Sequence, residues 1–393
     1  MRYLFNNISE AFSHKTTKEL QKSIRLFGLL SNPLLSSLGI KVMRRFGHRD
    51  FVITRKLIRW LFSPFFAGTS LEQAEEKVSY LSDFRVYSYL NYAVEEVDKE
   101  LEFDKNCQIV VDLLTHASKH QNIPFSVCKP TSLGHKDLFC KVSSKQALND
   151  SECQSWQRAI NRFHTCCLAA QKHNVGLLID AEEYNMQSAV DGVVVDLMRE
   201  FNNKKAVVYN TIQLYLTDGF SRLQEMHRVA IDNKFRLGVK LVRGAYMEKE
   251  RERAKKLQIP SPICKTKEET DIQFNEAVRY CLQCINTVSV VMGSHNEQSA
   301  LLAVELLEKY SVSPSDHRIW FSQLLGMCDH ISFALAKRGY NVVKFVPFGP
   351  MNKLVPYLAR RAEENSSITG QTTRELIRLK KELERRKKEA RTS

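Results

Sequence analysis

The sequence predicts an α/β protein built as a closed (β/α)8 barrel. Three observations carry that reading. Eight short, β-rich apolar runs alternate with helix-length spacers along most of the chain. Five of the eight runs end in a polar or charged residue. No two glycines are separated by one residue, so a Gly-x-Gly-x-x-Gly turn, the signature of a dinucleotide-binding fold, is absent from the sequence. Runs of this kind, alternating with helices, belong to parallel strands buried on both faces. In a barrel of eight such units the chemistry gathers at the carboxyl ends of the strands.

The elements follow in order. Residues 1–80 show helical apolar spacing and are expected to form an arm or cap, with Ser70 to Leu81 closing it. This arm is also the candidate dimer contact. The eight strand runs are Phe84–Tyr92, Pro124–Lys129, Val175–Asp180, Ala206–Gln213, Phe235–Arg243, Ser289–His295, Arg318–Leu324 and Asn341–Phe348. The polar groups at or just beyond their ends are Lys129, Asp180 with Glu182, Gln213, Lys240 with Arg243, and His295.

A helix follows the last run. In Leu354–Asn365 two adjacent arginines, Arg360 and Arg361, interrupt an apolar stretch. At helical spacing Tyr357, Arg361 and Glu364 share a face. Buried guanidinium groups are costly unless something anionic meets them, and their planar fork matches a carboxylate. The segment reads either as a carboxylate clamp or as a salt-bridged amphipathic helix. Beyond Thr372, Leu376, Leu379 and Leu383 sit at helical spacing within dense charge, which fits a helix or a disordered basic extension.

Several motifs occur together in one order: Asp180-Ala-Glu182, Lys240-Leu-Val-Arg-Gly-Ala-Tyr246, Ser294-His-Asn296, Gln323-Leu-Leu-Gly-Met327, Phe345-Val-Pro-Phe-Gly349 and Tyr357-Leu-Ala-Arg-Arg-x-x-Glu-Asn365. From about Phe84 to Asn365 the chain closely resembles the proline dehydrogenase family, FAD-dependent enzymes that open proline catabolism. The resemblance implies a distorted TIM-like barrel with an N-terminal helical extension and the last helix over the barrel mouth. The domains are then 1–80, an N-terminal arm; 81–370, the barrel; and 371–393, a basic tail.

The resemblance also assigns roles. Arg360, Arg361 and Lys129 hold the substrate carboxylate, and Asp180 organises the lysine and the arginines. The substrate ring lies between the flavin and Tyr357, Phe345 and Leu325. Glu95, in Asn91-Tyr-Ala-Val-Glu95, pairs with an arginine, although Asn91 replaces the family's aspartate; Glu364 is a second arginine partner. FAD is held by Gln213 at the isoalloxazine edge, Lys240 near N5, Arg243 and Gly244 in one turn, then Tyr246, His295 and Asn296. The reaction implied is hydride transfer from L-proline to flavin N5, giving Δ1-pyrroline-5-carboxylate, with electrons passed to membrane quinone. Phe345 stands where a tyrosine is common and should crowd a 4-hydroxyl, which favours proline over hydroxyproline. A hydroxyproline or other cyclic imino acid dehydrogenase is the alternative enzyme. No serine or cysteine nucleophile is required.

Composition adds constraints. An apolar fraction of 43% fits a globular chain, and 393 residues exceed the roughly 250 of a single barrel. Residues 1–60 carry 12 Lys/Arg against 3 Asp/Glu, and residues 371–393 carry 9 against 4. Those two ends account for the whole net charge of +14, leaving the middle neutral. Basic ends suit an anionic membrane surface. They also suit a catalytically inactive protein that binds membrane or nucleic acid, though the enzyme reading expects no nucleic-acid partner. No run is long and apolar enough to span a membrane, since Leu26–Met43 is broken by Asn32-Pro33. The first residues lack a secretory pattern, and Glu10 and Glu19 weaken a mitochondrial one. The expected location is cytoplasmic, peripheral at a bacterial inner membrane, with the mitochondrial matrix and inner membrane as alternative. Ten scattered cysteines fit free thiols in a reducing compartment. Cys281-x-x-Cys284 lacks a second pair, so no metal is expected. Trp60, Trp156 and Trp320 read as core or interface residues, and His295 has a packed-core reading beside its cofactor role.

Overall fold

The computed structural model describes residues 4–5, 7–30, 59–60, 62–93, 97–367 and 371–392; at residues 30, 360, 362–367, 371–373 and 392 only the helical backbone is described. Eight parallel strands form a closed barrel in sequence order. They are β1 (Tyr87–Tyr92), β2 (Phe125–Cys128), β3 (Gly176–Ile179), β4 (Val208–Gln213), β5 (Leu237–Val242), β6 (Val288–Gly293), β7 (Ile319–Leu324) and β8 (Val342–Phe348). Every residue of β2, β4 and β8 is buried, as both-face burial requires. Register is continuous from Tyr89 opposite Phe125 through Asn210 opposite Val239 to Val290 opposite Ile319.

Each predicted run contains a strand, and the ends differ for local reasons. β1 begins at Tyr87 because Arg85 sits at φ 59°, outside extended space. Lys234, also at φ 59°, delays β5 in the same way. Lys240 lies inside β5 and not at its end. His295 falls in the turn beyond β6, which stops at Gly293. At Gly238 a Cβ would come 2.4 Å from the Val208 carbonyl oxygen, so the β4–β5 pairing admits no side chain there.

The chain divides into two compact units. One holds Tyr87–Leu90 and Val94–Ser322; the other holds Met1–Val86, Asn91–Ala93 and Gln323–Ser393. The second unit brings the two ends of the chain into one core. Leu20, Leu26 and Phe27 from helix Thr17–Leu30 pack with Leu354, Val355 and Leu358 from helix Met351–Ser367 and with Leu379 from helix Gln371–Thr392. The C-terminal segment is therefore a packed helix and not a loose basic extension. Some of its charge is used internally: Glu382 is fully buried, bound by Arg385 and Arg386, and Arg386 also donates to the carbonyls of Lys15 and Phe12. Trp60, read as core or interface, is not core: it is 50% exposed with the Lys22 ammonium 5.5 Å from its ring.

A buried polar knot in this unit was not anticipated. Lys344, inside β8 and fully buried, donates to the carbonyls of Leu324 (3.3 Å) and Met327 (2.6 Å) and to Asp329 (3.0 Å). Asp329 also receives Lys15 at 2.8 Å and His14 at 3.3 Å. Burial pushes the Asp329 carboxyl up, but Lys15, Lys344 and His14 outweigh it and hold it well below the usual range. Burial, with Lys15, lowers His14 to about 4 against the pull of Asp329. Its neutral ring stacks on Phe333 at 3.5 Å.

The His14 shift sets a pH dependence. The unfolded imidazole takes up its proton near pH 6.5, whereas the folded one waits until about 4. Between those values the unfolded state binds more protons, so stability falls as pH drops through this window, by roughly 3 kcal/mol at most. Replacing His14 by Gln should flatten the dependence of the urea midpoint on pH between 6.5 and 4. An unchanged slope would remove His14 as its source.

Candidate active site

The carboxyl ends of β2 to β6 carry one set of functional groups. Lys240, on β5, is buried and donates to Asp180 Oδ1 at 2.7 Å. Its ammonium also lies 5.5 Å from the centroid of the buried Tyr89 ring, and Tyr89 Oη is 3.2 Å from Ser322 Oγ. Burial alone would lower the Lys240 pKa, but attraction to Asp180 and Tyr89 overrides it and raises the value. Among the described residues, Asp180 and Lys240 form an ion pair that links the end of β3 to β5.

Lys129 follows β2 and is half-buried. Its carbonyl accepts from the Ser132 N–H (3.0 Å) and hydroxyl (2.6 Å), which fixes the turn that carries it. Glu182 sits behind that turn. It accepts from Thr131 N and Oγ1, both at 2.9 Å. Burial pushes the Glu182 carboxyl up, while Lys129 and the Thr131 bonds oppose that shift. Thr131 and Tyr89 were missed from the sequence. Thr131 lies outside every strand run, and Tyr89 looks like an ordinary barrel aromatic.

Gln213 ends β4, and its Nε2 donates to the Glu182 carbonyl at 3.2 Å. Its Oε1 is buried without a hydrogen-bond partner among the described residues. A buried acceptor left open is costly unless a ligand N–H fills it. Arg243 donates to Asp271 (2.7 Å), Ser294 (2.7 Å) and Ser299 (3.0 Å), with its guanidinium 4.4 Å from the Phe274 ring. Burial lowers its pKa against the pull of Asp271. Three of its five N–H groups are occupied in these bonds, which leaves donors for an anionic ligand.

The φ of Gly244 is 136°, and a Cβ there would lie 2.5 Å from the Tyr215 ring. Tyr246 precedes helix Met247–Leu257. His295 is half-buried. Asn296 caps helix Glu297–Lys309, accepting from Gln298 N (2.8 Å) and Ser299 N (3.3 Å), a structural duty not foreseen.

The other unit carries the remaining groups. Leu325 N donates to the Phe345 carbonyl at 3.1 Å, and both side chains are buried. The Phe345 and Tyr357 rings lie 5.9 Å apart at 34°. Arg361, one helical turn beyond Tyr357, is 9% exposed and places its guanidinium 5.1 Å from that ring. The side chains of Arg360 and Glu364, and residue Glu95 as a whole, lie outside the described residues.

With this geometry in place, comparison with known proteins identifies the lineage. A family model described as proline dehydrogenase matches residues 74–374. This chain belongs to the proline dehydrogenase family. It is 36% identical over 331 residues to the carbapenem antibiotics biosynthesis protein CarD of Pectobacterium carotovorum, covering 84% of this chain and 86% of that protein. It is 38% identical over 280 residues to human mitochondrial proline dehydrogenase 1, covering 70% of this chain but 45% of that protein. A hydroxyproline dehydrogenase of Xenopus laevis is 28% identical, over 95% of this chain and 88% of that protein. Among solved structures, the fold matches proline utilization A from Bdellovibrio bacteriovorus inactivated by N-propargylglycine, with a TM-score of 0.75 at 19% identity. That match covers 92% of this chain and 42% of the other. The family consists of flavin oxidoreductases, and the barrel is the one this chain builds. Among the described residues no helix is long and apolar enough to cross a membrane.

The residues present fit a flavin: the open Gln213 acceptor suits a ring N–H, and Arg243 suits an anionic group. The Asp180–Lys240 pair makes a direct prediction. Asp180→Ala leaves a buried ammonium uncompensated and should cost roughly 3 kcal/mol in urea unfolding at neutral pH. The double variant with Lys240→Met should recover part of that loss. If the two losses simply add, the pair is not the unit described.

Proposed function

We propose that this chain oxidises L-proline to Δ1-pyrroline-5-carboxylate with FAD as the hydride acceptor. The observation that carries the reading is the buried Arg361 guanidinium against the Tyr357 ring, next to Phe345, in a member of this family. A planar donor fork beside two aromatic rings fits a small cyclic imino acid: the fork takes the carboxylate, and the rings face the apolar methylenes. By the family resemblance, Arg360 and Lys129 are also assigned to the carboxylate, and Leu325 to the substrate ring. Glu95 and Glu364 orient the arginines.

The flavin is assigned to Gln213, Lys240, Arg243, Gly244, Tyr246, His295 and Asn296. Bound FAD would supply the hydride acceptor; the protein supplies position and field. Gln213 accepts from the ring edge through its open Oε1. Lys240, kept protonated by Asp180 and Tyr89, provides a fixed positive charge that favours a more electron-rich flavin. The substrate amine must be neutral to release electrons, so turnover rises with pH toward the amine's effective pKa.

The electrons go on to a quinone, which places the protein at a membrane surface. The basic Lys and Arg residues of both ends support that placement, and relatives named as mitochondrial support a mitochondrial location beside the bacterial inner-membrane one. The second reading, oxidation of hydroxyproline, is favoured by the Xenopus relative. Phe345 argues for proline: it is buried against Tyr357, and its ring offers a 4-hydroxyl no hydrogen-bond partner.

Purified protein should be yellow and bleach when L-proline is added without oxygen. A colourless protein that takes up no FAD overturns the proposal. Arg361→Met should raise the proline KM about 10- to 100-fold, in line with the ~1.5–3 kcal/mol of a charge-assisted hydrogen bond, with a smaller effect on kcat. The kcat/KM for L-proline should exceed that for trans-4-hydroxy-L-proline by about tenfold or more. The reverse ranking selects the second reading.

A further inference from the structure

Helices Glu100–Ala117 and Asp150–His173 flank β2, and Arg162 fixes their register. Its Nε donates to Asp104 at 2.7 Å, it pairs with Glu100, and its guanidinium lies 5.4 Å from the Phe103 ring. Glu100, Phe103, Asp104 and Cys107 form one stripe of the first helix; Arg162 and Cys166 are one turn apart on the second. The register that seats Arg162 on Glu100 and Asp104 therefore brings Cys166 to Cys107. Their sulfurs are 3.7 Å apart, and Cys107 Sγ also reaches the Arg162 carbonyl at 3.6 Å.

We propose that Cys107 and Cys166 are a site of reversible oxidation, at which hydrogen peroxide converts the dithiol into a disulfide joining the two helices. Cys107 reacts first. Its sulfur attacks one peroxide oxygen, the O–O bond breaks, and a sulfenic acid and water result. Cys166 sulfur then attacks the sulfenic sulfur, the S–O bond breaks, and the second water leaves with the Cys166 proton. The sum is two thiols and one peroxide giving one disulfide and two waters.

The order follows from the surroundings. Cys107 keeps 6% exposure, whereas Cys166 has none. Its hydrogen-bond contact with Cys166, together with Arg162, draws the Cys107 pKa down against burial. The same contact, with burial, drives Cys166 up. Burial also pushes up Cys128, Cys167 and Cys281, which makes them poor competitors for peroxide. Buried cysteines usually serve as small apolar fillers; a close pair with one thiol drawn down is a different arrangement. The bond would enclose β2 and the Lys129 turn in a covalent loop. The proposal does not depend on the substrate reading, since its readout is chemical.

The test is peptide mapping of the full-length reduced protein after treatment with hydrogen peroxide, digested without reductant. The expected product is a cross-link between the tryptic peptide holding Cys107 and the one holding Cys166, two hydrogens lighter and released by dithiothreitol. Cys166 and Cys167 leave trypsin on one peptide. The cross-link should therefore persist in Cys167→Ser and vanish in Cys166→Ser, where dimedone should trap a sulfenic acid on Cys107. Recovery of both residues as free thiols, at peroxide levels that oxidise other cysteines, overturns the proposal, as does a bond from Cys107 to Cys167. The wild-type map and its fragmentation spectra decide even if a variant fails to fold.

Discussion

A cation removed from water needs an anion or an array of dipoles within hydrogen-bond reach, and the interior of this protein is organised around that need. Lys240 meets Asp180, Arg243 meets Asp271, Arg162 meets Glu100 and Asp104, and Lys344 meets Asp329 and two carbonyls. In each case the partners sit on different elements, so the pair fixes geometry as well as charge. Lost singly, either member leaves a stranded ion; this makes such pairs costly to break even where their net contribution to stability is small.

The same requirement separates structural cations from those suited to bind. Arg243, just after β5, has three of its donors occupied among the described residues. Lys344 is fully buried and saturated by protein groups, so it holds the β7-to-helix loop and the N-terminal segment in place. Residues assigned to flavin and residues assigned to the imino acid ring also fall in different compact units: Gln213, Lys240, Arg243 and His295 in one, Leu325, Phe345, Tyr357 and Arg361 in the other. Each set is held by its own unit's strands and helices.

Much of this was legible in the chain. The eight strands follow from apolar runs of strand length, because a strand buried on both faces has no polar side to disguise it. Asp180, Gln213 and Arg243 stand out in the sequence because each ends an apolar run, and two of them form ion pairs, Asp180 with Lys240 and Arg243 with Asp271. Lys344 lies inside the run Asn341–Phe348, and only the folded chain brings Asp329 to it. Arg85 truncates its strand through left-handed backbone, which residue type does not announce. At Gly244 the Tyr215 ring leaves no room for a Cβ.

The sequence by itself determined the barrel class, the order of its strands, the charged ends and the family motifs, since these depend on patterns within a few residues of each other. Tertiary structure alone decided the partners: which carboxylate answers Lys240, that the C-terminal helix shares a core with the N-terminal one, and that Cys107 meets Cys166. Those pairings join residues up to hundreds of positions apart, and nothing in local spacing encodes which distant group will arrive at hydrogen-bond distance once the barrel has closed.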